Sequence, residues 1–321
     1  MLCLYFISLN GPDFGRSFKL ISTRWAPYIS TRPTPQIFKP CAISDLGLFL
    51  SLVSFIFFTE TDRTVTDEEV YLVDSGGQYK DGTTDVTRSM HFGTPKKFEK
   101  ECFTRVLKGQ ISVRQAVFPS KIKGNYLDTL ARMSLWEVGL DYSHGTGHGV
   151  GAYLNVHEGP MGISWRPYPD DPGLQVGMVL SNEPGCYLDG EFGKHLILLK
   201  VVGLFVNRIC FYYILVHMYL AFTASLFFVF FFSGIRIENL CHIVEASTPH
   251  NFRSRGYLTF EDLTVVPIQQ KMIVPSLLTQ DEINYINQYH QKCRDMVGPL
   301  LRRMGKKDGL NWMIKETSPM G

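Results

Sequence analysis

Cysteine pairs, basic runs and a zinc-peptidase signature are all missing from this sequence, and each absence removes a class of function. The seven cysteines are scattered and odd in number, with no CxxC among them. Neither a zinc ribbon nor a disulfide framework is supported, and a reducing, cytoplasmic setting fits best. Charged residues make up only 19% of the chain and the net charge is +2. No Lys/Arg run with interleaved aromatics occurs, so no nucleic-acid footprint is expected. The densest basic patch, Arg302 to Lys307, reads as a solvated helix end. HExxH is absent. No histidine precedes His91, and the N-terminus lacks the basic n-region and long apolar h-region of a signal peptide.

What is present is a patchwork. The 321 residues suffice for one large domain or two small ones. Residues 1–59 show no sustained period and end in an apolar stretch, Leu46 to Phe58, too short to span a bilayer. From Glu60 the character changes. Val70 to Val73 reads as a strand, Lys80-Asp81-Gly82 as a turn and Thr83 to Met90 as the returning strand of a hairpin. Phe98 to Val117 and Tyr126 to Val138 carry helical periodicity. Gly-rich loops and short strands follow from His144 to Tyr187, and Leu258 to Gln269 reads as strand. Thr279-Gln280-Asp281-Glu282 is a capping box that opens a helix running towards Met304. The expected class is α+β. Ile209 to Gly234 contains no charged residue and by length and hydropathy is a transmembrane candidate.

Three clusters carry chemistry. Asp74 and Asp85 lie on the two arms of the expected hairpin, near enough for both to reach one ion. Facing each other directly, they would centre the turn between Tyr79 and Lys80, ahead of the better turn residues; a bulge or a diagonal pairing would resolve this. Asp81, in the turn, reads as a solvated loop residue. The second cluster places His144, His148 and His157 among glycines, which suits close backbone approach to a ligand. A lone histidine is usually a satisfied core or surface residue; three in one Gly-rich loop shift the balance towards function. The third is split: Glu183 follows the apolar Met178-Val179-Leu180, and Glu238 shares a strand face with Arg236.

Taken together, DSGGQYKDGTTDVTRS, HGTGHGVGAYLNVHEGP, NEPG, GIRIEN and LTFEDLTVVPIQ resemble the aminopeptidase P branch of the pita-bread metallopeptidases, which also include prolidase, methionine aminopeptidase and creatinase. The resemblance implies a pita-bread catalytic domain over 60–193 and 235–321. It implies five metal ligands, Asp74, Asp85, His148, Glu183 and Glu238, with Asp85 and Glu238 bridging two divalent ions. Four carboxylates and one imidazole form a hard site that favours Mn²⁺ and tolerates Co²⁺ or Zn²⁺. His144 and His157 would contact substrate, Glu183 would move a proton to the leaving nitrogen and Arg236 would support the site. The implied reaction releases an N-terminal residue from peptides with proline second. A prolidase-type dipeptidase is the neighbouring reading, and an inactive or membrane-associated variant of the same fold the more distant one. A homodimer is also within the family pattern.

Two departures stand against that pattern. Residues 194–234 separate Glu183 from Glu238, and removing them cuts the spacing from 55 to 14 and gives EFGIRIEN. A retained intron would account for this, since Gly193-Lys194 can be encoded by GGTAAG and Phe230 to Gly234 by a pyrimidine tract ending in an acceptor. A true membrane span is the weaker reading because it would interrupt one catalytic strand. The start also departs: residues 1–59 form an atypical segment, the domain is expected to lack its opening elements, and Ser54 stands in the region where the family carries a further active-site histidine. Cys186 replaces an aromatic often found after EPG.

Overall fold

The computed structural model describes residues 64–79, 82–152, 155–188 and 234–321, together with strand backbone at Phe18–Lys19, His195–Ile197 and Phe230–Phe232. Residues 209–229 of the expected transmembrane candidate, the apolar stretch before Glu60 and Ser54 lie outside the described residues. Among the described residues no helix is long and apolar enough to cross a membrane.

Strands β1 (Val70–Tyr79) and β2 (Gly82–His91) form an antiparallel hairpin closed between Tyr79 and Gly82. Its register pairs Asp74 with Thr87 and Gly76 with Asp85. The two aspartates are therefore diagonal neighbours on one face, and the Lys80-Asp81 part of the expected turn lies outside the described residues.

Helix α1 (Lys97–Arg114) begins where the Glu99 carboxylate accepts the Lys96 N–H at 2.7 Å. It ends three residues before the Val117 expected, and α2 (Asn125–Trp136) ends two before Val138. On α1, Cys102, Phe103, Val106, Leu107 and Ile111 recur at helical spacing and are fully buried. They pack against Leu135 of α2, Ile235, Ile237, Ile268 and Ile286. Each large apolar side chain so buried contributes about 1.5–3 kcal/mol. The two helices meet at Gly109, where a β-carbon would lie 2.1 Å from the Ala131 carbonyl oxygen.

A four-stranded antiparallel sheet runs in the order β3 (Phe118–Pro119), β10 (Tyr257–Asp262), β9 (Asn239–Glu245), β6 (Val179–Asn182). A second core of Val113, Phe118, Leu127, Ile163, Leu180, Ile243 and Phe260 lies against it. Short pairs complete the fold: β4 (Gly147–His148) with β5 (Gly162–Ile163), and β7 (Gly185–Tyr187) with β8 (Gly234–Arg236).

The strand expected over Leu258 to Gln269 stops at Asp262. Beyond it the Leu263 and Thr264 N–H groups both reach the Leu240 carbonyl, which breaks the ladder. The carbonyls of Val266 and Pro267 are taken by the Arg88 guanidinium instead of a neighbouring strand. The C-terminal capping box forms as expected: Thr279 Oγ1 accepts from the Glu282 N–H, and Glu282 Oε2 accepts from the Thr279 N–H. Helix α3 (Gln280–Arg303) follows, and Lys108 of α1 pairs with Glu282 at 2.8 Å. A last helix, α4 (Lys307–Glu316), packs on α3.

Arg88 of β2 ties these parts together. It is 4% exposed, and its guanidinium donates to the carbonyls of Thr87, Glu238, Val266 and Pro267, to Asn239 Oδ1 and to the Tyr289 hydroxyl of α3. The hairpin is thereby fixed against the sheet.

Candidate metal centre

Four separate pieces of chain deliver carboxylates and imidazoles to one place. Asp74, Asp85 and Glu238 have ligand oxygens within 4.8 Å of one another, as do the ligand atoms of His148, Glu183 and Glu238, and those of Asp85, His148 and His157. All five expected metal ligands thus lie in one contiguous cluster, and His157 joins it at the exposed rim.

The hairpin brings Asp74 and Asp85; the sheet brings the rest. Glu238 sits between β8 and β9, where the continuous strand expected from Gly234 to Asn239 is broken. The Glu238 N–H donates to the Thr87 carbonyl at 3.1 Å, and Ile237 N–H turns to the Pro184 carbonyl. Arg236 and Glu238 nevertheless share a face as expected, because both meet Thr87. The Thr87 hydroxyl donates to Glu238 Oε2 at 2.6 Å and accepts from Arg236 Nε at 3.0 Å. Arg236 Nη2 also donates to Asp74 Oδ2 at 2.6 Å.

Glu183 follows β6, and Ser181 Oγ donates to its Oε1 at 3.0 Å. The same hydroxyl oxygen accepts the His148 N–H at 3.0 Å, which locks the Gly-rich loop to the strand. That approach requires glycine at 147, where a β-carbon would lie 2.0 Å from the Ser181 carbonyl oxygen.

His148 Nδ1 lies 3.0 Å from the Gly149 carbonyl and so carries the proton. Its Nε2 lone pair faces Glu183 Oε1 at 3.2 Å and Asp85 Oδ2 at 3.5 Å. Both His148 Nε2 and Glu238 Oε1 are buried without a hydrogen-bond partner. Buried orphan acceptors cost free energy unless something electropositive completes them. An imidazole that gives its other N–H to a backbone carbonyl is also the usual posture of a metal-bound histidine. The donor set therefore fits a divalent cation.

Charge crowding leaves its mark on the titrating groups. Burial pushes the Glu183 carboxyl up to about 7, against the pull of His148 and Arg236. Glu238 is raised well above the usual carboxylate range by burial and by the charges of Glu183 and Asp85. Burial lowers the basicity of His148, but the neighbouring carboxylates of Asp85 and Glu183 outweigh that and raise it. Burial drives His144 down to about 4, so it is neutral at pH 7.

His144 stands beside the cluster. Its Nδ1 donates to the Gly145 carbonyl at 2.7 Å, and its Nε2 accepts from the Tyr187 hydroxyl at 2.8 Å. Arg236 Nη1 reaches the same hydroxyl at 3.3 Å. Beneath this loop, α2 contributes a buried i,i+4 pair: Arg132 holds Asp128 at 2.7 Å and donates to the His144 carbonyl, while Thr146 donates to Asp128. Thr87, Ser181, Tyr187, Asp128 and Arg132 were not singled out from sequence. A buried carboxylate with arginine four residues on was the one readable signal among them; the others are ordinary residue types.

Fold and site together match a metallopeptidase family. The model of metallopeptidase family M24 matches residues 53–245, and that of the C-terminal region of peptidase M24 matches residues 256–320. The chain belongs to metallopeptidase family M24, and its fold is that family's pita-bread arrangement. It is 49% identical over 261 residues to the Xaa-Pro aminopeptidase ApepP of Drosophila melanogaster, a match covering 81% of this chain and 36% of the relative. Aminopeptidase P1 of Lotus japonicus is 42% identical over 279 residues, covering 87% and 35%. The X-prolyl aminopeptidase of Caenorhabditis elegans, a cytosolic enzyme with a di-nuclear active site, superposes with a TM-score of 0.64 at 40% identity, covering 81% of this chain and 35% of that one. The chain spans about a third of the length of the curated relatives it matches.

Proposed function

We propose that this chain is the metal-binding core of a dinuclear metalloaminopeptidase that hydrolyses the bond between an N-terminal residue and a following proline. One observation carries the reading: two buried acceptors without partners, His148 Nε2 and Glu238 Oε1, belong to one cluster with Asp74, Asp85 and Glu183. The names of the relatives supply the reaction and the expectation of two ions.

Asp74, Asp85, His148, Glu183 and Glu238 would hold the two divalent ions, with Asp85 and Glu238 shared between them. Mn²⁺ suits the four carboxylates best, with Co²⁺ or Zn²⁺ as alternatives. When bound, the pair supplies an acidified water near neutral pH and polarises the scissile carbonyl. Glu183, held near pH 7, is suited to pass a proton to the leaving nitrogen. Neutral His144 and rim-exposed His157 contact the substrate, and Arg236 fixes Asp74 through its guanidinium. Four buried cysteines, Cys102, Cys186, Cys241 and Cys293, suit a reducing cytoplasm.

The test is Mn²⁺-dependent release of the N-terminal residue from an Xaa-Pro peptide by the purified chain, alongside the number of Mn²⁺ ions bound per chain. Two ions bound and release that vanishes in Glu238→Ala support the reading; a folded chain that binds no Mn²⁺ overturns it. The absent upstream histidine is expected to lower the rate by the worth of one oxyanion donor, about 3 kcal/mol.

Residues 194–234 are read as an insertion at a hairpin tip. The pairing supports this: β7 pairs with β8 through Tyr187 and Gly234, and the strand segments His195–Ile197 and Phe230–Phe232 pair antiparallel with each other in a separate two-stranded sheet. Excision would place Gly193 in the position of Gly234 and leave a short loop after Tyr187. The excised chain is expected to keep its melting temperature and bind Mn²⁺ as the full chain does; a lower melting temperature would show that the insertion belongs to the fold.

A further inference from the structure

The loop that carries His144 towards β4 is held from behind by one buried ion pair. Asp128 and Arg132 stand one turn apart on α2, each 2% exposed. Arg132 Nε donates to Asp128 Oδ2 at 2.7 Å, and Nη2 donates to Oδ1 at 3.3 Å. The other donors leave the helix. Nη1 donates to the Tyr142 carbonyl at 2.6 Å and to Asp141 Oδ1 at 2.8 Å, and Nη2 to the His144 carbonyl at 2.8 Å. A guanidinium has five N–H groups, and all five are used here. The same guanidinium lies 3.8 Å over the Tyr142 ring.

Asp128 reaches the loop from its other end. Its Oδ1 also accepts the hydroxyl of Thr146 at 2.6 Å, and Thr146 is fully buried. That uses the only proton of the Thr146 hydroxyl, so the 2.5 Å contact with the Tyr142 hydroxyl is donated by the tyrosine. Burial pushes the Tyr142 phenol up, which keeps that proton in place. The Thr146 carbonyl accepts the Glu183 N–H at 2.7 Å. The loop is thus fastened at 141–142 and again at 146, with His144 between the fastenings.

Helix α2 does not need this pair for its own attachment. Leu127, Ala131 and Leu135 bury its apolar face in the two cores, and the close approach of Ala131 to Gly109 sets its distance from α1. A buried ion pair is also a weak source of stability, because desolvation offsets much of its attraction. What this pair adds is the path of the backbone. The His144 ring itself bonds only to the Gly145 carbonyl and the Tyr187 hydroxyl, so the pair reaches it through the main chain.

We propose that Asp128, Arg132 and Thr146 are positioning residues that set the His144 imidazole through the loop backbone, without touching substrate or metal themselves. Their link to turnover rests on the aminopeptidase reading, in which His144 contacts the substrate. Lysine cannot replace Arg132, since a single ammonium keeps the charge beside Asp128 but does not span the carboxylate and three loop positions.

The test is Arg132→Lys in the Mn²⁺-loaded full chain. The expected result is a kcat on an Xaa-Pro peptide lowered about 100-fold, the scale of a misplaced contact group, with KM changed less and the Mn²⁺ count unchanged. A double-mutant cycle separates positioning from general support. In a His144→Ala background Arg132→Lys should lower kcat no further, because the group it acts through is already gone; additive losses overturn the proposal. Where Arg132→Lys does not fold, the near-isosteric Thr146→Val carries the same cycle, and Thr146→Ser, which keeps the hydroxyl, should restore the rate.

A second measurement works without turnover: imidazole ¹⁵N resonances of the metal-free chain, with His144 assigned by their loss in His144→Ala. Arg132→Lys and Thr146→Val should move the His144 resonances and leave those of His148 in place. If they do so in a chain that hydrolyses nothing, the positioning stands and the aminopeptidase reading falls. His144 resonances that stay in place, or His148 resonances that move equally, overturn the proposal whatever the activity.

Discussion

The two arms of the metal site are built on opposite principles. The hairpin arm presents Asp74 from an exposed strand, with 47% of its side chain in solvent and Arg236 beside it as counter-charge. The sheet arm presents Glu238, 1% exposed, with one oxygen on the Thr87 hydroxyl and the other on nothing. An exposed carboxylate paired with arginine is tolerated without a metal. A buried one among Glu183, Asp85 and Asp74 is not tolerated as an anion, and burial raises its proton affinity instead. The sheet arm is therefore where electrostatic strain concentrates and where bound cations would return the most.

That contrast can be broken at several points. The largest effect is expected on activity: Glu238→Ala should abolish one metal site and lower turnover by about three orders of magnitude or more, within the span of removing a Lewis-acid contribution. Metal counting together with the rate checks it, and a variant that still binds two ions would remove Glu238 from the ligand set.

On stability, the largest loss is expected at the joint between the arms. Arg88→Met removes six hydrogen bonds, four of them to backbone carbonyls, and should cost about 3–5 kcal/mol in denaturant unfolding. A loss under about 1 kcal/mol would mean that the hairpin docks without it. Thr87→Val strips the hydroxyl shared by Glu238 and Arg236. It should cost about 1–3 kcal/mol in the metal-loaded chain and weaken Mn²⁺ binding.

The metal-free chain should show the strain as a pH dependence. Glu183 and Glu238 have folded-state values above the ordinary 4.5, so the folded chain binds more protons than the unfolded one above that pH. The Glu183 contribution is full below 4.5 and is lost as pH rises through about 7, and Glu238 acts in the same direction. Melting temperatures of the metal-free chain should therefore benefit from this term at pH 5 relative to pH 8, and Glu238→Gln should flatten the dependence. Mn²⁺ binding near pH 6 should release protons, which calorimetry in buffers of different ionisation enthalpy detects. The smallest effect is expected on the exposed arm, where Asp74→Asn should change metal-free stability by about 0.5 kcal/mol or less.

Much of the site was legible because its chemistry is local in sequence. Asp74 and Asp85 flank one turn, the three histidines fall in one Gly-rich loop, and Glu183 follows an apolar strand, so residue type and spacing marked them as candidates and the motif resemblance implied their roles. The hairpin's diagonal register was left open because period-2 patterning fixes the face of a strand but not the partner across it. The strand expected beyond Asp262 failed for a related reason. Its alternation was real, but the Val266 and Pro267 carbonyls are taken by Arg88, about 180 positions earlier in the chain. Thr87, Ser181 and Tyr187 were invisible for want of any local signal; they matter only through what folding sets beside them.

The sequence by itself determined the α+β class and the hairpin, because capping boxes and hydrophobic period are written in neighbouring residues, and its long motifs carried the resemblance to the family. Only the tertiary structure decided which donors are strained. Burial, and not residue type, separates Glu238 from Asp74 and leaves His148 Nε2 without a partner, since desolvation and close packing exist only once distant segments meet.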